Sequence, residues 1–250
     1  MRNLENADIA IQKSGRLTEG TLEWLNNNAG TDFPIVSDPF DRTRELTDSS
    51  TGITVVGYSN GDTIKAVAAE QTDVGVCGGD MYFERRCDTL ELIGYLGFAS
   101  CKLVLARSEG EADSQIRRIV TSYPQLTQEY FGWSTSNEID RAYDRSVPKV
   151  EVFKGGIEMI GRRNGYDTVV DVVDTGETLL ANGYEVKATI REFEAVLFQI
   201  EGRDEDREYP KIAISPNFYE EERYRVLYPM LQRAYTQDDL SVGLERGGAH

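Results

Sequence analysis

The chain has 250 residues, 40% of them apolar, enough for one large domain or two smaller ones with a real core. Lys and Arg number 27 against 43 Asp and Glu, a net charge of −16 that serves solubility and argues against a nucleic-acid or anionic-membrane partner, each of which needs a basic face. A single histidine, His250 at the last position, rules out a Ser-His-Asp triad, a Cys-His pair and a histidine-rich zinc site.

The opening stretch MRNLENADIA lacks the apolar run of a secretion signal, and no later run approaches the ~18 residues of a membrane span. ADIAIQ, centred on 8–12, predicts a strand, followed by a Lys-Ser-Gly-Arg turn and a helix ending at NNNAG. ITVVGY (53–58) predicts a second strand, and Asn60-Gly61-Asp62 turns into the helix TIKAVAAEQ with Asp62 as candidate N-cap. DVGVCGG (73–79) reads as strand and glycine turn. LELIGYLGFASCKLVLA (90–106) reads as two strands joined through Gly97. RIVTS (118–122), KVEVF (149–153) and TVVDVV (168–173) continue the alternation. This βα rhythm predicts α/β layering with largely parallel sheets. Cys77, Cys87 and Cys101 are odd in number and form no C-x-x-C pair, so reduced thiols in a cytoplasmic protein are expected.

A crossing near Gly97 and a return near 182–190 predict two lobes: 1–98 with 188–235, and 99–187, with a ligand cleft between them and a frayed tail over 236–250. YEEERYRVLYPMLQRAYTQ (219–237) predicts a helix bent at Pro229.

Four glycine turns follow strands. Asp174-Thr175-Gly176-Glu177-Thr178 can cup a phosphate with backbone amides, two hydroxyls and a helix N-terminus, while Asp171 and Asp174 hold ribose hydroxyls or a Mg²⁺ shell. The same residues also fit a capping box, with Asp174 as N-cap and Glu177 three residues on. Gln12-Lys13-Ser14-Gly15-Arg16 offers two cations, Lys13 and Arg16, to a polyphosphate, or is only a solvated basic turn. GVCGGD (75–80) and Lys154-Gly155-Gly156-Ile157-Glu158 complete the set, the last placing Glu158 in the first turn of a helix.

In order, IQKSGRL (11–17), DVGVCGGD (73–80), LGFASCKLVLA (96–106), IVTSYPQLTQEYF (119–131) and GGIEMIGRRNGYDTVVDVVDTGETLLANG (155–183) resemble the ATP phosphoribosyltransferase family across about residues 8–200. The resemblance favours the phosphate cup over the cap. It implies a two-lobed, periplasmic-binding-protein-like (type II) α/β fold. The implied reaction is the first step of histidine biosynthesis, joining adenine N1 of ATP to C1′ of phosphoribosyl pyrophosphate with release of pyrophosphate. Mg²⁺ is the implied cofactor. The implied roles are Lys13 and Arg16 on the polyphosphates, Glu158 near the reacting ribose or purine, Asp171 and Asp174 on ribose hydroxyls or metal, and Thr175, Gly176, Glu177 and Thr178 on the 5′-phosphate.

Four positions depart from the family pattern. Ser59 stands for the arginine and Ile64 for the proline of its Arg-x-x-Asp-Ile-Pro segment, although Asp62 remains. Gly156 stands for the serine of its Gly-Ser-Val-Glu block, and Gly161 for a proline beyond it. These departures fall on the expected acceptor side and leave two alternatives, a phosphoribosyltransferase with another nitrogenous acceptor or a non-enzymatic module that binds a phosphorylated ligand. The length after AVLFQI (195–200) resembles the short form of the family, which works in a homo- or hetero-oligomer with a partner resembling histidyl-tRNA synthetase.

Overall fold

Two mixed β-sheets, each covered by helices, organise the chain. The computed structural model describes residues 4, 6–59, 61–108, 116–132 and 148–202, so the helix expected over 219–237 and the tail over 236–250 lie outside the described residues. The first sheet contains β1 (Asp8–Gln12), β2 (Glu45–Thr47), β3 (Thr54–Tyr58), β4 (Val74–Gly78), β5 (Leu90–Tyr95) and β11 (Ala195–Ile200), in the order β2-β3-β1-β4-β11-β5. The second contains β6 (Cys101–Ser108), β7 (Arg118–Thr121), β8 (Lys149–Val152), β9 (Thr168–Val173) and β10 (Tyr184–Phe193), in the order β10-β6-β9-β7-β8.

Continuous apolar strands arise because both faces are covered. In β1, Ile9 and Ile11 enter one core with Leu22 and Leu25 of helix α1 (Arg16–Ala29), while Ala10 enters another with Ile64 and Val67 of α2 (Asp62–Ala68). Alternate residues of the second sheet divide in the same way. Val104, Ala106 and Val169 face α5 (Ile157–Asn164) and α6 (Glu177–Ala181), whereas Leu103, Leu105 and Val170 face α4 (Pro124–Phe131).

The sheets are less parallel than the alternation predicts. β1 pairs in parallel with β3 and β4, and β7 with β8 and β9, but β11, β6, β10 and β2 run antiparallel to their neighbours. Among these, β6, β10 and β11 flank the two crossings between sheets, and a chain that returns to a sheet reverses its direction there. The return comes at Glu194 rather than near 188, because β10 stays paired with β6 as far as Phe193 opposite Cys101. The two crossings bind each other: the Leu96 amide donates to the Ala195 carbonyl at 2.9 Å, the Ala195 amide to the Phe98 carbonyl at 2.9 Å, and the Gly97 amide to Glu194 at 3.2 Å.

Beside these crossings, α3 (Gly79–Arg85) of the first lobe clasps α4 of the second. Its sequence suggests only a glycine turn. Gly79 instead opens a helix, its amide donating to the Glu194 carbonyl at 2.8 Å. A Cβ at Gly79 would lie 2.8 Å from that carbonyl, so this close approach requires glycine. The Glu84 carboxylate accepts the Gln125 and Leu126 amides, both at 3.0 Å. Those are free first-turn donors of α4, so a residue of one lobe caps a helix of the other. Arg86 pairs with Glu129, and the Arg191 guanidinium lies 3.6 Å from the centre of the Phe83 ring.

Candidate active site between the lobes

The expected site residues lie at the C-terminal ends of strands from both sheets, where the backbone turns and leaves amides unpaired. From the first lobe come the turns after β1, β3 and β4; from the second, those after β7, β8 and β9. One contact joins the two most informative turns. Arg16 Nη1 of the turn after β1 donates to Asp174 Oδ2 of the turn after β9 at 2.7 Å. Asp174 raises the Arg16 pKa through this hydrogen bond and its charge.

The geometry removes the capping box. Helix α6 starts at Glu177, its N-cap is Gly176 at φ +81°, and no side chain caps it. Asp174 is turned to Arg16, and the Thr175 hydroxyl accepts the Glu177 amide at 3.4 Å. Asp174, Thr175, Glu177 and Thr178 are exposed at the loop surface, and buried Leu179 fixes the short helix behind them. A similar correction applies to Asp62, which is the first residue of α2 rather than its cap. Gly61 occupies the cap at φ +80°, and Asp62 pairs with Lys65 at 2.8 Å.

Asp171 lies in the half-buried C-terminal half of β9. Burial, reinforced by the charges of Glu158 and Asp80, pushes its pKa up to about 6; hydrogen bonds from the Val172 amide and Ser122 act in the opposite direction. Glu158 is half-buried in the first turn of α5, whose N-cap is Gly156 at φ +60°. The structure thus brings Asp171, Glu158 and Asp80 within electrostatic reach, and Arg16 and Asp174 into contact. Lys13 belongs to a concavity of about 270 Å³ lined with Ser14, Asp38, Phe40, Asp41 and Arg44.

Several participants in this region escaped the sequence reading. Asp80 accepts the Tyr123 hydroxyl across the lobes at 2.7 Å. Burial, then the Asp80 charge, raises that phenol far above its ordinary range. Arg44 shares the Lys13 concavity from a loop without a glycine turn to mark it. Cys101 is a free thiol pushed up to about 12 by burial and the charges of Asp80 and Asp174, which keeps it protonated.

Gly161, expected on the acceptor side, packs against the interior of the second lobe. It is buried in the second lobe, where an added Cβ would lie 2.4 Å from Tyr184 Oη, and that hydroxyl donates to the Tyr166 carbonyl at 2.9 Å. Its departure from the family pattern is a packing feature. Ser59 and Gly156 are exposed in cleft-facing turns.

The comparisons point to the same family. A family model described as ATP phosphoribosyltransferase matches residues 59–214. A relative of that name from Deinococcus deserti is 32% identical over 185 residues, covering 74% of this chain and 78% of its own. The Maricaulis maris relative is 30% identical over 211 residues, and the chain spans 66% of that relative's length and 65% of the one from Candida glabrata. Among solved structures, the ATP phosphoribosyl transferase (HisG:HisZ) complex from Thermotoga maritima aligns over 92% of this chain and 98% of the matched chain, with TM-score 0.58 and 22% identity, a likeness of fold. With the two-sheet topology and the strand-end turns that carry its motifs, this chain belongs to the ATP phosphoribosyltransferase family.

Proposed function

We propose that the protein transfers the phosphoribosyl group of phosphoribosyl pyrophosphate to N1 of ATP, the first step of histidine biosynthesis. The observation that carries this reading furthest is the 2.7 Å contact of Arg16 with Asp174, which sets a cationic turn of one lobe against the Asp-Thr-Gly-Glu-Thr loop of the other. Two polyanions held by such facing turns meet with little loss of orientation.

In this reading the amides of Thr175–Thr178 and the Thr175 and Thr178 hydroxyls receive the 5′-phosphate, Gly176 allowing the turn. Asp171 and Asp174 accept ribose hydroxyls, while Glu177 lies at the helix start. Arg16 and Lys13, with Arg44 beside it, hold the polyphosphates. Adenine N1 supplies its own lone pair. As the N1–C1′ bond forms, the bond from C1′ to pyrophosphate breaks with its electron pair on the leaving group, and Glu158 and Asp171 stabilise the cationic ribose between them.

Among the described residues no three His, Cys, Asp or Glu side chains converge as metal ligands. The carboxylates of Asp171 and Asp174 fit Mg²⁺ arriving with the polyphosphate, because Mg²⁺ takes one or two carboxylates and fills its remaining positions with phosphate oxygens and water. Asp171 or Asp174 would hold it, and its charge would favour departure of pyrophosphate. The described residues contain no helix long and apolar enough to cross a membrane. An oligomer with a partner subunit, as in the solved HisG:HisZ complex, belongs to this reading, and the family resemblance implies a partner similar to histidyl-tRNA synthetase.

The experiment is pyrophosphate release with phosphoribosyl pyrophosphate, Mg²⁺ and a panel of purines, with and without ATP and such a partner. Release that depends on ATP supports the reading. Release with another base alone transfers it to a different acceptor, and donor binding without release for any purine leaves a binding module.

A further inference from the structure

Phe98 stands in the first crossing between the lobes, and its half-buried ring lies on helix α1. Gly20 makes the contact possible. A Cβ there would lie 2.5 Å from Phe98 Cδ2 and 2.7 Å from Cε2, so the ring occupies the space of the missing side chain. Gly20 comes one helical turn after Arg16, the residue that opens α1. Phe98, Leu17 and Trp24 all border the same first-lobe core.

The backbone on either side of Phe98 is left-handed, at φ +78° for Gly97 and +54° for Ala99. Glycine adopts that region freely, whereas an alanine keeps it only where its surroundings impose it. Here the Phe98 carbonyl accepts the Ala195 amide of the return crossing at 2.9 Å, while the ring is seated on α1. The same segment leads to the other member of the inter-lobe ion pair. Beyond Ala99 the chain enters β6 at Cys101, and Lys102 is registered opposite Val173, the residue before Asp174. Residues 98–102 therefore run from the helix that begins with Arg16 to the strand end that leads into Asp174.

We propose that Phe98 is a positioning residue for the reaction: seated on Gly20, it fixes the start of α1, and so the Arg16 guanidinium, against the Asp-Thr-Gly-Glu-Thr loop. The identity of the ligand held there, phosphoribosyl pyrophosphate, rests on the proposed transferase reading. Displacing the ring shifts the start of α1 relative to β6 and β9. A guanidinium grips phosphate oxygens through two parallel hydrogen bonds only when its plane is aligned with them, so a small shift is felt in binding. Phe98 acts through Arg16 and not by touching the ligand.

The test measures phosphoribosyl pyrophosphate binding by calorimetry, with Mg²⁺, for the parent, Gly20→Ala, Phe98→Ala and Gly20→Ala/Phe98→Leu, and for the two single changes in an Arg16→Lys background. Gly20→Ala puts a methyl where the ring lies, although alanine is the better helix former. It should weaken binding about fivefold, and adding Phe98→Leu, whose smaller side chain clears the methyl, should bring affinity back to within about twofold of the parent. In Arg16→Lys proteins the same change should cost less than about twofold, because the guanidinium that it misplaces is gone. A loss of equal size in both backgrounds, or no loss from Gly20→Ala, overturns the positioning role. If Gly20→Ala does not fold, Phe98→Ala compared in the two backgrounds decides by the same criterion. A parent that binds the donor but releases no pyrophosphate with ATP or any purine removes the transferase reading and leaves the positioning role to these affinities; a parent that binds no donor overturns both.

Discussion

Arg16 and Asp174 are 158 positions apart in the chain and 2.7 Å apart in space, a hydrogen-bonded ion pair between the lobes. Their side chains are 86% and 55% exposed, so water screens the pair and its contribution to stability is small. What the pair fixes is position. It holds a guanidinium and a carboxylate together at the junction where phosphates and ribose are proposed to bind, and a ligand that takes both must separate them.

Arg16→Lys is therefore expected to leave thermal stability nearly unchanged and to lower kcat/KM by about tenfold or more, because lysine keeps the charge but loses the bidentate fork. Steady-state kinetics beside a melting curve check this. Full activity in the lysine variant would assign Arg16 to the ion pair alone.

Asp171 carries a pH signature. Its folded pKa of about 6 lies above the ordinary 3.8, so the native state holds an extra proton between those values. Stability contributed by this group is therefore present at low pH and lost as pH rises from about 4 through 6. Asp171→Asn should stabilise the ligand-free protein at pH 8 by about 1–3 kcal/mol, give no gain near pH 4, and weaken donor binding. Denaturant melts at the two pH values measure it; an equal effect at both would show that the carboxylate bears no burial penalty.

Glu84 joins the lobes through two α4 amides at 3.0 Å. Glu84→Ala leaves both donors without this acceptor and should cost about 1–2 kcal/mol, with the loss concentrated in hydrogen-exchange protection of Gln125 and Leu126. Glu84→Gln, which keeps one acceptor oxygen, should fall between. Unaltered protection at those two amides would mean that the clasp does not hold the helix end.

Gly161→Ala places a methyl against Tyr184 Oη, which is fully buried and bonded to the Tyr166 carbonyl. Overpacking of this kind costs about 1–3 kcal/mol. Adding Tyr184→Phe should recover part of that loss and no more, because Tyr184 Cζ remains only 3.1 Å from the new carbon. Independent, additive effects of the two changes would contradict the packing account.

Local chemistry made much of the molecule legible before its fold. The apolar runs at 8–12, 101–107 and 168–173 became β1, β6 and β9 because a strand buried on both faces needs little else to declare itself. Glycines after strands announced turns at Gly15, Gly156 and Gly176, since positive φ is cheap only there. Other features had no local signal. Helix α3 was hidden because its stability comes from packing Phe83 and Tyr82 against partners far along the chain. Asp174 fitted a helix cap as well as a phosphate cup by sequence, and a cation 158 positions away holds it off the cap position. Gly161 read as a substrate-side substitution until Tyr184 was found above it. Sequence patterns determine which segments turn, pair and bury, because those depend on neighbours a few residues away. Which charges meet, and how far burial raises Asp171, depend on distances that exist only once the two sheets face each other.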